Sequence, residues 1–220
     1  MSRISLPSER EQLARQLEYG LTFMKISLNK GIQDLLLDYL NLMQKWNRVY
    51  NLTAIRDLEK MVSTHLLDSL SVLPHLPQGQ ILDVGAGAGL PGIPLAAATA
   101  ATTSNQFSLI DSNQKKTAFL RQAVAELKLA NVRVFCLKVE DWLPPMKFNC
   151  IVARAYAELS QFIESSKHLL AADGIFAAMK GRYPATEIER IPEGYVTKQI
   201  IKLQVPGLDA DRHLVLVGRA

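Results

Sequence analysis

The sequence predicts an α/β protein in which a helical N-terminal extension precedes a doubly wound sheet that ends in an antiparallel hairpin. Apolar residues first recur at helical spacing, and short apolar runs then alternate with helical segments. Two strand-like stretches joined by a Pro/Gly turn close the chain. We therefore expect an extension over residues 1–79 and a sheet domain over residues 80–220, packed as one compact unit.

Composition fits an ordinary globular chain. The chain has 220 residues and a net charge of +4, which permits an anionic partner such as RNA without demonstrating one. Cys136 and Cys150 lie in apolar strand-like runs without metal-ligand spacing, so we expect free thiols in a reducing compartment and no metal. The polar N-terminus resembles no signal region, and no apolar run approaches the roughly 20 residues of a membrane span. We expect a cytoplasmic protein without membrane contact.

The extension reads as three helices. Helical spacing of apolar residues covers residues 8–25, restarts near residue 30 and continues to Trp46. Asparagines within residues 47–53 favour a turn, and a third helix is predicted over residues 57–73. Prolines then close the extension.

The remainder reads as alternating strands and helices. Predicted strands cover 81–84, 107–111, 132–137, 148–154 and 174–180; predicted helices cover 92–100, 114–127, 159–170 and 185–191. A hairpin follows, with strands at 196–204 and 213–217 around the turn 206–210. Five parallel strands followed by a hairpin, rather than by a sixth parallel unit, are typical of class I methyltransferases and not of dehydrogenases.

A glycine-rich turn follows the first strand. Gly85, Gly87 and Gly89 stand at every second position, so backbone N–H groups and a helix N-terminus can approach a nucleotide-like ligand. Together with Asp83 they resemble methyltransferase motif I more than the G-x-G-x-x-G dinucleotide fingerprint. A tight turn without a ligand is the alternative. The pattern favours S-adenosylmethionine, with S-adenosylhomocysteine as the product.

Two further strand ends supply cofactor candidates. Asp111 ends the second strand, where a carboxylate can accept hydrogen bonds from both ribose hydroxyls. Capping of the helix that begins near Gln114 is its alternative role. Val139 and Glu140 follow the third strand and are predicted to lie beside the adenine, unless this loop is simply exposed.

Arg154 and Lys180 end the fourth and fifth strands, and we predict that both are catalytic. The sequence around Arg154 lacks the motifs of adenine amino, pyrimidine C5 and ribose 2′-O methylation. An acceptor that needs no base remains, and guanine N7 is one because its lone pair is free. We assign Arg154 to guanine O6, a phosphate or the cofactor carboxylate; a salt bridge at the strand end is the alternative.

Polar and aromatic residues around the predicted crevice are candidates for RNA contact. Tyr156 suits stacking on a flipped-out base but also suits a core position. His65 and Asp68 share a helix face, which fits a base, a metal ligand or a hydrogen-bonded structural histidine. Basic residues suit phosphates, although such residues are often only solvated. The predicted RNA contacts are His65, Lys115, Lys138, Tyr156 and Arg182.

Taken together, these residues resemble the bacterial small-subunit ribosomal RNA methyltransferase G family, also called glucose-inhibited division protein B. The matching stretches are 45–47, 51–53, 56–57, 65–69, 83–94, 120–122, 126–129, 139–140, 154–155, 180–181, 202–206 and 212–215. The resemblance covers about residues 26–217, and segment 98–104 looks slightly longer than is usual in the family.

The resemblance implies methylation of N7 of one guanine in the 530 loop of 16S ribosomal RNA. S-adenosylmethionine would be the donor, and the RNA or the small ribosomal subunit the partner. It puts the cofactor positions on Gly85, Leu90, Val139, Glu140 and Arg154. We expect a monomer. Two alternatives stay open: a methyltransferase for a small molecule or protein, and a nucleotide-binding regulator without catalysis.

Overall fold

The computed structural model describes residues 8–100 and 104–220, and within them the predicted fold class is confirmed. The described chain forms a seven-stranded sheet in the order β3-β2-β1-β4-β5-β7-β6. Its strands are β1 Gln80–Val84, β2 Gln106–Ile110, β3 Val132–Phe135, β4 Phe148–Arg154, β5 Leu170–Lys180, β6 Tyr195–Leu203 and β7 Arg212–Arg219. Strands β1 to β5 run parallel, and β7 is antiparallel to β5 and β6. Residues 101–103 of the segment predicted to be long lie outside the described residues.

Helices cover the sheet and build the extension. They are α1 Glu9–Phe23, α2 Lys30–Tyr50, α3 Leu58–Met61, α4 Asp68–Leu70, α5 Gly92–Thr99, α6 Gln114–Glu126, α7 Leu159–Ser166 and α8 Ala185–Ile188. A π-helical segment, Val62–Leu67, joins α3 to α4. Short 3-10 turns lie at Leu73–His75, Val139–Asp141 and Lys167–Leu169.

Side-chain caps explain where the extension's helices begin. Ser8 and Glu11 form a capping box at the start of α1, where each side chain bonds the other's backbone N–H. The Asn29 side chain accepts from the N–H of Ile32, which fixes the first turn of α2. Asp57 caps α3 in the same way. These are the capping residue types that the sequence offers at each predicted start.

Several predicted boundaries differ from the structure. Helix α2 continues to Tyr50, into the segment 47–53 that the sequence predicts as a turn. The helix predicted over 159–170 ends at Ser166, because Leu170 already pairs with Phe148 in the sheet. The strand β5 therefore begins four residues before the predicted position. Phe148 pairs with Leu170 and Cys150 with Ile175, so a register shift accommodates the extra residues of β5. The third helix is interrupted by the π-helical segment, since its hydrogen bonds widen over Val62–Leu67.

The extension shares a hydrophobic core with one face of the sheet. Leucines of α1 and α2 pack in the same buried cluster as residues of β1, α5, β2 and α6. Members of this cluster include Leu17, Leu36, Leu40, Met43, Ile81, Leu95, Phe107 and Phe119. The other face of the sheet is covered mainly by α7, around Phe162 and Ile163. The extension thus buries apolar surface of α5 and α6 on this side of the sheet.

In the part of the chain that the structure describes, none of the helices has both the length and the apolar character required to cross a bilayer.

Candidate active site

The glycine turn connects β1 to α5 at the carboxyl edge of the sheet. Gly85, Gly87 and Gly89 have φ values of 66°, 59° and 87°, the left-handed region that side chains disfavour. The carboxylate of Asp83 accepts a hydrogen bond at 2.8 Å from the N–H of Gly92 and so fixes the first turn of α5. The turn's conformation therefore needs its glycines independently of any ligand.

Asp111 supports the glycine turn from the end of β2. Its carboxylate accepts from the N–H of Gly87 at 3.0 Å and from the N–H of Asn113 at 2.8 Å. The cap of α6 is Asn113, whose side chain accepts from Lys115 and Lys116. Helix capping, the alternative role considered for Asp111, thus belongs to Asn113.

A cleft of about 440 Å³ opens beside this turn, at the carboxyl ends of β1 and β2. Four of the predicted cofactor residues line it: Gly85, Asp111, Val139 and Glu140. Of the predicted RNA contacts, Lys138 and Tyr156 also line it. In doubly wound sheets, ligands bind where the strand order reverses, and the neighbours of β1 diverge here to β2 and β4. The structure thus brings the core of the predicted site together.

Three further predicted cofactor residues, Gly87, Gly89 and Leu90, do not line the cleft. Gly87 is connected to it by the hydrogen bond that it donates to Asp111. A Cβ on Gly89 would lie 2.5 Å from Cγ1 of Ile93, so this glycine permits close packing of the turn on its own helix. Leu90 is buried in the core cluster.

Tyr39 makes a contact that the sequence does not predict. Its hydroxyl donates a hydrogen bond to the carbonyl of Ala88, inside the glycine turn. Burial raises the pKa of Tyr39 well above its usual value, so the hydroxyl keeps its proton and remains a donor. The helical spacing of Tyr39 was visible in the sequence, whereas its partner lies 49 positions away. This bond attaches α2 of the extension directly to the turn.

At the end of β4, the side chains of Arg154 and Tyr156 point in different directions. Ala155 has φ 53°, a left-handed conformation that a residue with a Cβ adopts only at a cost of about 1 kcal/mol or more. Beyond it, Tyr156 lies over Gly85, where an added Cβ would approach Cδ2 of the ring to 2.5 Å. Gly85 therefore leaves room for an aromatic ring in the cleft wall.

Arg154, before this bend, faces the extension. Its Nη1 donates to Oδ2 of Asp68 at 3.0 Å and to the carbonyl of Thr64 at 2.9 Å. The other carboxylate oxygen of Asp68 accepts from Nε of Arg212 at 2.9 Å. The Asp68 side chain is only 3% exposed, so one buried carboxylate connects β4, β7 and the extension. The salt bridge considered as an alternative for Arg154 is present, but Arg154 does not line the cleft.

His65 is buried in the π-helical segment and does not pair with Asp68. Its Nε2 lies 3.0 Å from the hydroxyl of Thr53, which ties the segment to the loop after α2. Burial, followed by the nearby Arg154 guanidinium, lowers the pKa of His65 to about 4. The ring is therefore neutral at pH 7, as a structural histidine would be.

Lys180 forms a second network at the end of β5. Its Nζ donates to Oε2 of Glu187 at 2.7 Å and to the carbonyl of Ala157 at 2.8 Å. The same Glu187 oxygen accepts from the N–H of Leu159 at the start of α7. Glu187 was missed by the sequence reasoning, and its only signal was an acidic residue in the helical stretch after Lys180. The predicted RNA contacts Lys115 and Arg182 are exposed.

The pKa of Asp83, on β1 below the glycine turn, is strongly shifted. Complete burial raises its pKa to about 7, while the hydrogen bond from Gly92 and the charge of Arg154 act in the opposite direction. Its second carboxylate oxygen has no hydrogen-bond partner among the described residues. No group of three potential ligands for a metal ion occurs within residues 8–100 and 104–220.

Sequence comparison finds one family over most of the chain. Residues 32–215 match the family model described as rRNA small subunit methyltransferase G. The ribosomal RNA small subunit methyltransferase G of Chromobacterium violaceum is 51% identical over 201 residues, covering 91% of this chain and 95% of that protein. The protein of the same name from Laribacter hongkongensis is 47% identical, covering 94% of this chain and 98% of its own length.

Structural comparison extends the likeness to the fold of more distant proteins. TrmN from Thermus thermophilus superposes with a TM-score of 0.54 at 16% identity, covering 79% of this chain and 53% of that chain. A ribosomal protein L11 methylase from Lactobacillus delbrueckii gives a TM-score of 0.54 at 16% identity, covering 70% of this chain and 77% of that chain. At such identities the likeness concerns the fold alone.

Proposed function

The chain belongs to the rRNA small subunit methyltransferase G family, as its sequence predicted, and from this membership we propose its reaction. The protein transfers a methyl group from S-adenosylmethionine to N7 of a guanine in the 530 loop of 16S ribosomal RNA. The observation that carries the proposal is the convergence of Gly85, Asp111, Val139 and Glu140 on one cleft beside the glycine turn.

The residues of the cleft fit the cofactor. Its volume of about 440 Å³ falls in the usual range for small-molecule sites, roughly 300–1,000 Å³. Asp111 would hold the ribose hydroxyls, and its carboxylate is already fixed by the N–H groups of Gly87 and Asn113. Val139 and Glu140 would border the adenine. When bound, S-adenosylmethionine supplies a methyl group on positively charged sulfur.

The acceptor atom needs no general base, because guanine N7 carries a free lone pair. The chain then has to bind, orient and desolvate the reactants. Tyr156 offers a ring at the cleft for stacking on the purine. Lys180 is held by Glu187, so we propose that it acts by fixing the crevice wall and its positive charge.

We keep Arg154 as a ligand of guanine O6, a phosphate or the cofactor carboxylate. Its hydrogen bonds to described residues all use Nη1, and the side chain is 21% exposed. Arginine carries five N–H donors, so those on Nε and Nη2 are available for a ligand. The bond to Asp68 would then orient the guanidinium.

The wider context follows from the family. We propose that the partner is 16S ribosomal RNA or the small subunit, contacted through Lys115, Lys138, Tyr156 and Arg182. His65 would act indirectly, through the loop that it holds at Thr53. We further propose a cytoplasmic monomer that requires no metal.

The test is methyl transfer to small ribosomal subunits purified from a bacterial strain that lacks this enzyme. With labelled S-adenosylmethionine, the wild-type protein should label 16S RNA, and mass spectrometry should find N7-methylguanine in the 530 loop. Asp111→Ala should bind S-adenosylhomocysteine at least tenfold more weakly by calorimetry and label correspondingly less. Label in a ribosomal protein, or in another nucleotide, would refute the assignment.

A further inference from the structure

A second, smaller cleft lies on the extension. Its volume is about 210 Å³, and Gln44, Asn47, Arg48 and Arg56 line it. The first three belong to the last turns of α2, and Arg56 belongs to the loop that follows. Two guanidinium groups and two amides supply many hydrogen-bond donors and no carboxylate. Such a donor set suits a phosphate group, which arginine binds in a bidentate manner.

The arginines of this cleft have no carboxylate partner among the described residues. Residues 39–56 contain Lys45, Arg48 and Arg56 but neither aspartate nor glutamate. Both arginines are exposed, and neither forms an ion pair with a described residue. Arg56 donates one hydrogen bond, to the side-chain oxygen of Asn51 at 3.3 Å, which leaves its other donors for a ligand. The nearest carboxylate along the chain, that of Asp57, caps α3.

The cleft is built on a fixed loop. Asn47 is 3% exposed and bonds the loop twice, accepting from the N–H of Thr53 at 2.9 Å and donating to the carbonyl of Ile55 at 3.2 Å. Thr53 in turn contacts His65 of the π-helical segment. The two arginines therefore project from a backbone that needs little ordering when a ligand binds, which favours affinity.

An exposed aromatic ring belongs to the same last turns of α2 that carry Gln44 and Arg48. Tyr50 is 43% exposed, and its ring packs on Trp46 with centroids 5.0 Å apart. Trp46 is supported by Phe119 of α6 at 5.6 Å. Proteins hold single-stranded RNA by combining basic side chains that bind the backbone with aromatic rings that stack on bases.

We propose that the cleft formed by Gln44, Asn47, Arg48 and Arg56 binds the RNA backbone near the methylated loop, with Tyr50 stacking on an adjacent base. This proposal rests on the proposed function. The elements that carry the cleft also contact the active site. Tyr39 of α2 bonds the glycine turn, and beyond the loop Thr64 and Asp68 accept hydrogen bonds from Arg154.

The test compares Arg48→Gln/Arg56→Gln with the wild-type protein on small subunits from the strain lacking the enzyme. The variant should raise the KM for subunits at least fivefold and leave S-adenosylhomocysteine affinity unchanged. The slope of log affinity against log salt should fall by about 0.7–1.8, the contribution of one or two phosphates. Arg48→Lys/Arg56→Lys keeps the charge and should retain most of the slope.

The matched control is Arg133→Gln/Lys198→Gln. It removes two exposed charges from β3 and β6, the two edge strands of the sheet. A wild-type KM and salt slope in Arg48→Gln/Arg56→Gln would overturn the proposal, as would an equal loss in the control. If the wild-type protein itself fails to methylate subunits, the proposed function fails instead. Thermal unfolding of each variant separates misfolding from lost binding.

Discussion

At the scale of single residues, burial shifts the pKa values of two groups beside the active site in opposite directions. The pKa of Asp83 rises to about 7, and that of His65 falls to about 4. Both shifts favour the neutral form of a group that lies near Arg154. The charge of Arg154 is paired instead with the carboxylate of Asp68.

His65 should make stability depend on pH. Its pKa is about 4 in the folded protein and 6.5 in the unfolded chain, so in this window only the unfolded chain binds the proton. Stability therefore falls as pH falls from 6.5 towards 4. Between about pH 8 and pH 5, wild-type protein should lose about 2 kcal/mol more than His65→Gln, measured by urea unfolding. Asp83 acts in the opposite direction but equally in both proteins. Parallel pH profiles would contradict the lowered pKa.

Residues whose role depends on the local backbone could be predicted from the sequence. Gly85 and Asp111 stand at a turn and a strand end, and the α/β pattern brings such positions to one edge of the sheet. The partners of Arg154 could not be predicted in this way. Asp68 lies 86 positions from Arg154 and 144 positions from Arg212, and only tertiary packing joins the three.

At the scale of elements, the π-helical segment is a part of the extension that contacts the end of a sheet strand, at Arg154 of β4. Thr64 supplies a carbonyl to Arg154, His65 holds the loop after α2, and Asp68 follows directly. The sequence predicted one regular helix here, because a single wide turn leaves the apolar spacing almost unchanged. π-helical turns are frequent at functional sites, and this one places Asp68 between two arginines.

Asp68→Asn should separate the role of this element from that of the fold. The amide keeps the shape but leaves two partly buried guanidinium groups without a charge partner. Loss of a buried pair costs about 3–5 kcal/mol, and since the arginines are a fifth to a quarter exposed, we expect on the order of 1–3 kcal/mol in urea unfolding. Arg154 also loses its orientation. If it binds the cofactor carboxylate, affinity for S-adenosylhomocysteine should fall; if it binds guanine O6 or a phosphate, the KM for small subunits should rise instead.

The control for this variant is Asp38→Asn. Asp38 pairs with Arg10 on the surface, where both side chains are about half exposed. Such a pair contributes less than about 1 kcal/mol, and cofactor affinity should not change. If Asp68→Asn behaves like this control, the carboxylate does not organise the site.

At the scale of the whole molecule, the extension and the sheet domain share one core. The sequence predicted both parts and the boundary near residue 79, because the hydrophobic period changes there. It could not predict that Leu36 and Leu40 of α2 pack in the same cluster as Leu95 and Phe107, since periodicity shows which face is buried but not against what.

A chain of residues 80–220 alone should therefore fail to fold cooperatively. Removal of the extension exposes the apolar face that α5 and α6 share with it, whereas the full chain should unfold in one transition. Circular dichroism during heating measures the unfolding transition of the fragment and of the full chain. Co-expression of 1–79 with 80–220 as separate chains should restore the transition. A fragment 80–220 that melts cooperatively at the temperature of the full chain would show that the extension is only an appendage.

The bond between Tyr39 and Ala88 has a consequence for how a single guanine is selected. Arg48 follows Tyr39 by nine residues on one continuous helix, a rise of about 14 Å. If the RNA backbone binds at Arg48, α2 contacts the RNA at one point and the cofactor-binding glycine turn at another. The helix therefore fixes the distance between the two. The guanine that is methylated is then the one that lies at a fixed distance from the bound phosphate. The length of a helix, rather than recognition of neighbouring bases, would select it.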